Sequence, residues 1–184
     1  VESVIIPATD GDRTTLCVSS QVGCARRCTF CETGRLGLLR NLRADEITAQ
    51  FLLARALWEP LRGALPPISN VVFMGMGEPL DNLAAVADAV AVLGDPLGAG
   101  LSWKRITVST VGVASKLPAF FDNVRANLAV SLHAPDDVRR SRWMPVNGRC
   151  DLAVLKAALQ EHLPTGREVL IQYILFDGQN DSDA

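Results

Sequence analysis

Three of the chain's five cysteines fall inside the segment GCARRCTFCETG, where Cys24, Cys28 and Cys31 are spaced C-x3-C-x2-C. Thiols crowded into one short loop could pair as disulfides, grip a zinc ion, or hold an iron–sulfur cluster. An odd cysteine count, in a chain whose opening VESVIIPATDGDR does not read as a secretory signal, argues against a disulfide framework. Structural zinc takes four ligands, usually as two pairs, and this loop supplies three. Elsewhere Cys17, Cys150, His133 and His162 are available, and Cys17 could complete a tetrahedron from a predicted strand. An ordinary iron–sulfur cluster is also held by four cysteines. Three would leave one iron with an open position, which a reactive centre needs and a structural one avoids. Phe30, inside the motif, would help to exclude water.

Such a loop needs a frame. Short runs rich in β-branched residues alternate with helical patterns along the chain. The predicted strands are Thr15–Ser19, Asn70–Met74, Arg105–Ser109, Asn127–Leu132 and Glu168–Leu175. Between them lie predicted helices Ala44–Trp58, Leu83–Leu93, Ala114–Phe121 and Leu152–His162. Asp45 and Glu46 suit the first turn of a helix, where negative charge meets the positive end of the dipole. Strand alternating with helix implies an α/β fold with a parallel sheet. Such sheets carry their chemistry at the carboxyl ends of the strands. The cysteine loop follows the first predicted strand, GMGEP the second, STVG the third and SLHAP the fourth. Five strands are too few for a barrel of eight, so the expected architecture is a partial (βα)-barrel, and a fragment.

At 184 residues and 48% apolar content the chain has material for one domain, taken as 1–184, with a substantial core. Its apolar runs are too short to span a bilayer, and it reads as cytoplasmic. The net charge of −2 excludes a uniformly basic coat. Two basic groups stand out: Arg26, Arg27, Arg35, Arg40 and Arg43 around the cysteine loop, and Arg139, Arg140 and Arg142 beside Trp143. Either could bind phosphates or be a solvated face.

The cysteine spacing at the end of the first strand of a partial barrel resembles the radical S-adenosylmethionine superfamily. That resemblance implies a 4Fe-4S cluster whose open iron is chelated by S-adenosyl-L-methionine, and a 5′-deoxyadenosyl radical formed on reduction. CVSSQVGCARRCTFCETGRLGLLRNL, NVVFMGMGEPLDN, ITVSTVGV and LAVSLHAPDDVRR, in this order, resemble the RlmN/Cfr type. Those enzymes methylate an adenine of 23S ribosomal RNA, at carbon 2 or carbon 8, and act also on transfer RNA. The similarity runs from Val1 to Asp181.

By that resemblance Cys24, Cys28 and Cys31 are the cluster ligands. Gly77 and Glu78 hold the methionine amine, a role suited to a carboxylate acceptor. Ser109, Ser131, Leu132 and His133 line the rest of the cofactor. Cys17 faces the substrate and helps release the product, and Glu2 is a proton acceptor. An insertion around Thr9 to Asp12 lies between those two. The implied partners are RNA and an electron donor such as flavodoxin, and the implied state is a monomer. The resemblance also has departures. A methyl-accepting cysteine and a cofactor-binding asparagine are expected beyond residue 184, and the amino-terminal RNA-binding domain is expected to lie outside residues 1–184. Cys150 does not align with the acceptor and reads as structural, and Glu32 replaces a more usual serine. The alternatives are a divergent radical enzyme with a non-RNA substrate, and a zinc-stabilised RNA-binding module.

Overall fold

The computed structural model describes residues 1–181. In chain order it contains β1 (Val4–Pro7), β2 (Thr14–Cys17), β3 (Gln21–Gly23), α1 (Glu32–Leu36), β4 (Leu38–Asn41) and α2 (Ala44–Trp58). There follow β5 (Ile68–Phe73), α3 (Leu83–Gly94), β6 (Ile106–Thr110), α4 (Leu117–Asn123), β7 (Asn127–Ser131), α5 (Asp137–Trp143), α6 (Leu152–His162) and β8 (Val169–Gln172). Six strands form one sheet in the order β1-β2-β5-β6-β7-β8, and β3 and β4 form a separate two-stranded sheet. In the six-stranded sheet β1 runs antiparallel to β2, with Val4 opposite Cys17, and the other pairs are parallel; β3 and β4 are antiparallel.

Alternation along the strands builds the two faces. Leu16, Val71, Phe73, Ile106, Val108, Leu128 and Val130 belong to one buried core. The helices close that core with residues at helical spacing: Ile47, Phe51 and Ala54 from α2, and Val86, Ala89, Val90 and Leu93 from α3. Full burial of a Leu, Val or Phe side chain contributes roughly 1.5–3 kcal/mol. Cys17, Ser109 and Ser131, at the alternate positions, face the other way.

The expected α/β partial barrel is therefore present, as an open, mostly parallel sheet. Helices Ala44–Trp58 and Leu152–His162 have the expected limits. Predicted helix Ala114–Phe121 is instead a 3-10 turn, Ala114–Lys116, leading into α4, where Pro118 occupies the first turn that tolerates it. Predicted strand Glu168–Leu175 stops at Gln172, because the Ile174 amide leaves the ladder and donates to His133 Nδ1 (3.1 Å). The Thr9 to Asp12 stretch is the exposed tip joining β1 to β2, closed by the Ala8 amide on the Arg13 carbonyl. Among the described residues no helix is long and apolar enough to cross a membrane.

Candidate functional site

The cysteine loop leaves β3 and is shaped by its own backbone hydrogen bonds. The Cys31 amide donates to the Cys28 carbonyl (3.1 Å), the Gly34 amide to the Cys31 carbonyl (3.0 Å), and the Cys24 amide to the Gly37 carbonyl (3.0 Å). Arg27 takes a left-handed φ of 55° inside the loop. Among the described residues, its one non-glycine companion in that region is His133, at φ 57°, just past the end of β7 and lining the cleft. Such backbone costs on the order of 1–3 kcal/mol and gathers at working sites. The Arg26 guanidinium clamps Asp81 and so ties the loop to the turn after β5.

That turn, GMGEP, is zipped to the segment behind β2. The Gly75 amide donates to the Val18 carbonyl (3.0 Å), the Ser20 amide to the Met76 carbonyl (2.9 Å), and the Glu78 amide to Gln21 Oε1 (2.8 Å). The fit demands glycine at position 77: its φ is +105°, and a Cβ there would stand 2.6 Å from Gln21 Cβ. Glu78 is 2% exposed and accepts from the amides of Leu80 (3.0 Å) and Val111 (2.9 Å). Burial drives its carboxyl up to about 7, against the pull of the Val111 and Leu80 amides and the Thr110 hydroxyl.

Beside Glu78, the ends of β6, β7 and β8 supply a polar wall. The Ser109 hydroxyl donates to Gln172 Oε1 (2.6 Å) and lies 3.5 Å from Ser131 Oγ. Gln172 stands beside Ser131 in the register and reaches Met74 Sδ with its amide (3.4 Å). His133 accepts the Ile174 amide at Nδ1, so the neutral ring carries its proton on Nε2. Burial first, then the Arg140 charge, lowers its pKa to about 4. Asn180, 7% exposed, folds the chain after β8 back over the site by donating to the carbonyls of His133 (2.7 Å) and Ile174 (2.8 Å). Phe30 meets the His133 ring edge-on at 5.2 Å between centroids and Phe176 at 5.6 Å.

Cys24, Cys28, Cys31, Gly77, Glu78, Ser109, Ser131 and His133 thus border one cleft of about 550 Å³, in the range that holds a drug-sized ligand. Leu132 does not: its side chain lies on the far side, beside Leu152 and Leu155 of α6. Cys17, half-buried at the end of β2, and the exposed Glu2 stand outside the cleft lining. Glu2 is fixed near the strand ends by its carbonyl, which accepts from the Ser19 hydroxyl (2.6 Å). Gln21, Gln172 and Asn180 are additions to the expected site. Gln21 lies inside the cysteine motif without chemistry of its own to mark it, and Gln172 and Asn180 stand in no motif at all. The two arginine groups are not free phosphate sites as sets. Arg26, Arg35, Arg40 and Arg43 are paired to Asp81, Glu32, Glu46 and Asp45. Arg140 is wholly buried and Arg139 pairs with Asp136.

The donor set is three buried or half-buried free thiols in one loop. Burial raises the Cys28 thiol to about 12, followed by the charges of Cys24, Cys31 and Glu78, with Arg140 opposing. Burial also raises Cys24. Thiols that hinder one another's ionisation become thiolates when a metal replaces their protons. Among the described residues no three Cys, His, Asp or Glu side chains converge as ligands of a single ion would. Each thiolate of a cluster binds its own iron, so cluster ligands need not converge on one point. Cys150 is 6% exposed within the main core, as a structural cysteine should be.

An open parallel sheet with its polar, strained and thiol-bearing groups gathered at the strand tips defines an α/β cofactor-binding core of the partial-barrel kind. The chain belongs to the Radical SAM superfamily, whose sequence model matches residues 18–184. It is 57% identical over 182 residues to a probable RNA methyltransferase of Sorangium cellulosum, covering 99% of this chain and 45% of that protein. It is 45% identical to a dual-specificity RNA methyltransferase RlmN of Marinobacter nauticus, covering 98% and 49%. A crystal structure of a radical SAM methyltransferase from Sphaerobacter thermophilus superposes with a TM-score of 0.89 at 43% identity, covering 98% of this chain and 52% of that one. The chain spans about half the length of the curated relatives it matches.

Proposed function

We propose that residues 1–184 form the catalytic core of a radical S-adenosylmethionine methyltransferase acting on an sp2 carbon of an adenine, carbon 2 before carbon 8. The proposed substrate is 23S ribosomal RNA, with transfer RNA as a second target. The observation that carries this reading is that three thiols, a buried carboxyl and strand-tip hydroxyls border one cleft. The relatives named as RNA methyltransferases support it.

Cys24, Cys28 and Cys31 would hold the cluster, and Glu78 would meet the amino group of S-adenosylmethionine. Together the two groups, when bound, supply the 5′-deoxyadenosyl radical that starts the chemistry. Glu78 is suited to an ammonium ion because its carboxyl is poised near neutrality and ionises when a cation arrives. Gly77 borders the cleft and lets the turn close on Gln21, which sets Glu78 in place, and Ser109, Ser131 and the Nε2–H of His133 offer hydrogen bonds to a ligand's polar atoms. Leu132 contributes main chain: its amide donates to Gln172 and its carbonyl accepts from Arg140. The aromatic ring of Phe30 keeps water from the thiols. Cys17 would assist product release and Glu2 would take a proton, both from the substrate side of the cleft. A low-potential donor of the flavodoxin type would supply the electron, in the cytoplasm.

The test is anaerobic reconstitution. The protein should take up iron and sulfide and, with dithionite, cleave S-adenosylmethionine, and Cys28→Ala should lose both. A variant that keeps its cluster and its cleavage would remove the thiol triad from the mechanism.

A further inference from the structure

Arg140, on the inner side of α5, is wholly buried, yet every partner it has is uncharged. Nη2 donates to the carbonyls of Val111 (2.6 Å) and Ser131 (3.4 Å), and Nε to the carbonyl of Leu132 (3.3 Å). Nη1 donates to Asn147 Oδ1 (2.8 Å) and to the Cys150 carbonyl (3.5 Å). Gly112, at φ +93°, leaves room for this fork; a Cβ there would lie 3.2 Å from Nη2. Three of the acceptors are the tips of β6 and β7, which frame the cleft.

Among the described residues no carboxylate forms an ion pair with this guanidinium. Asp137 is close enough to act on it, but its Oδ1 is engaged by the Asn147 side chain (3.0 Å) and the Leu152 amide (2.9 Å). A buried cation without a hydrogen-bonded anion is costly, several kcal/mol in proteins. The same helix also holds the cysteine loop. The Trp143 carbonyl accepts from the Thr29 amide (2.9 Å), and Met144, just past the helix, packs on Cys28. Val111 and Ser131, whose carbonyls Arg140 holds, line the same cleft as Cys24, Cys28 and Cys31, so the buried charge sits directly behind the wall that faces the thiols.

We infer that Arg140 is a positioning residue with an electrostatic role as well. It fixes the tips of β6 and β7 and is the buried counter-charge to the anionic centre held by Cys24, Cys28 and Cys31. The inference rests on the radical S-adenosylmethionine reading above. One electron from a low-potential donor adds one negative charge to that centre, with no bond made or broken at Arg140. A fixed cation nearby favours the more negative form, so Arg140 raises the reduction potential.

The experiment is a dithionite-poised redox titration of the reconstituted protein, read by electron paramagnetic resonance, on wild type, Arg140→Gln and Arg140→Lys. Wild-type protein without a reducible iron–sulfur signal overturns the cluster reading, and this inference with it. Given that signal, Arg140→Gln at equal iron content should show a reduced-to-oxidised ratio about tenfold lower at fixed potential, equivalent to about 59 mV for a one-electron couple. Arg140→Lys keeps the charge but loses the fork, so its ratio should stay within about twofold while its melting temperature falls. An unchanged ratio in Arg140→Gln, or an equal fall in both variants, overturns the inference and leaves the cluster reading standing. Arg140→Met replaces the glutamine variant if the latter does not fold, with the same expected shift.

Discussion

Along β6 and β7 two chemistries alternate on the same strands. Ile106, Val108, Leu128 and Val130 face the helices, are at most 1% exposed and carry only carbon. Ser109 and Ser131, one step away, face the cleft and meet Gln172 there. The first set draws stability from apolar burial. The second is only as good as its hydrogen bonds, and it gains full value when a polar ligand is present. Because the pleat sends neighbours to opposite faces, the two properties are separable by single substitutions.

The largest expected effect lies on the apolar face. Leu128→Ala removes a side chain that is 1% exposed and flanked by Val108 in the register. It should destabilise the protein by about 2–5 kcal/mol, read as a lower urea midpoint, while iron and sulfide uptake per folded chain stays unchanged. A cost below about 1 kcal/mol, or a selective loss of uptake, would break the division between the faces.

Next comes the buried carboxyl at the cleft's edge. Glu78 is raised from 4.5 to about 7 by burial, so the folded protein binds a proton there more tightly than the unfolded chain. Its contribution is complete below pH 4.5 and lost as pH climbs through about 7, on the order of 3 kcal/mol in total. His133 runs the other way: lowered from 6.5 to about 4, it contributes above 6.5 and loses that as pH falls towards 4. The difference between wild type and Glu78→Gln isolates the first effect. It should be a curve that slopes between pH 4.5 and about 7 and is flat outside, measured by urea denaturation in the absence of ligand. Parallel curves would show that the cleft carboxyl is solvated after all.

The same division decides what can be read from the sequence. Repeated apolar spacing marks helices well, so Ala44–Trp58 and Leu152–His162 match end to end. The β3–β4 hairpin escapes such a reading because its strands are three and four residues long and β4 is exposed throughout, which leaves no alternation to detect. Cys24, Cys28, Cys31, Glu78, Ser109, Ser131 and His133 stand out because they sit in spaced motifs at strand ends, and the structure brings them to one cleft. Leu132 shares such a motif, yet period-two alternation sends its side chain to the helix side. Arg140 reads with Arg139 and Arg142 as one basic group, since arginine is seldom buried and composition alone cannot reveal a clasp on carbonyls from residues 111 to 150. Helix α5, which carries it, has only seven residues and begins on a side-chain cap, Asp136 to the Arg139 amide at 2.8 Å, rather than on an apolar stripe.

The smallest effect on stability, and the one that sharpens the contrast most, belongs to Ser109. Ser109→Ala deletes a hydroxyl 2.6 Å from Gln172 Oε1. That oxygen borders the open cleft, where water can replace the lost donor, so the cost should be about 1 kcal/mol or less. Ligand binding should respond differently. A cofactor that fills the cleft expels that water and meets a wall without its hydroxyl, so S-adenosylmethionine affinity should fall about tenfold, or about 1.4 kcal/mol. Equilibrium binding to the reconstituted protein, set beside the urea midpoint, measures both quantities on one variant. If Ser109→Ala lost several kcal/mol of stability and bound normally, the cleft-facing set would be core by another name.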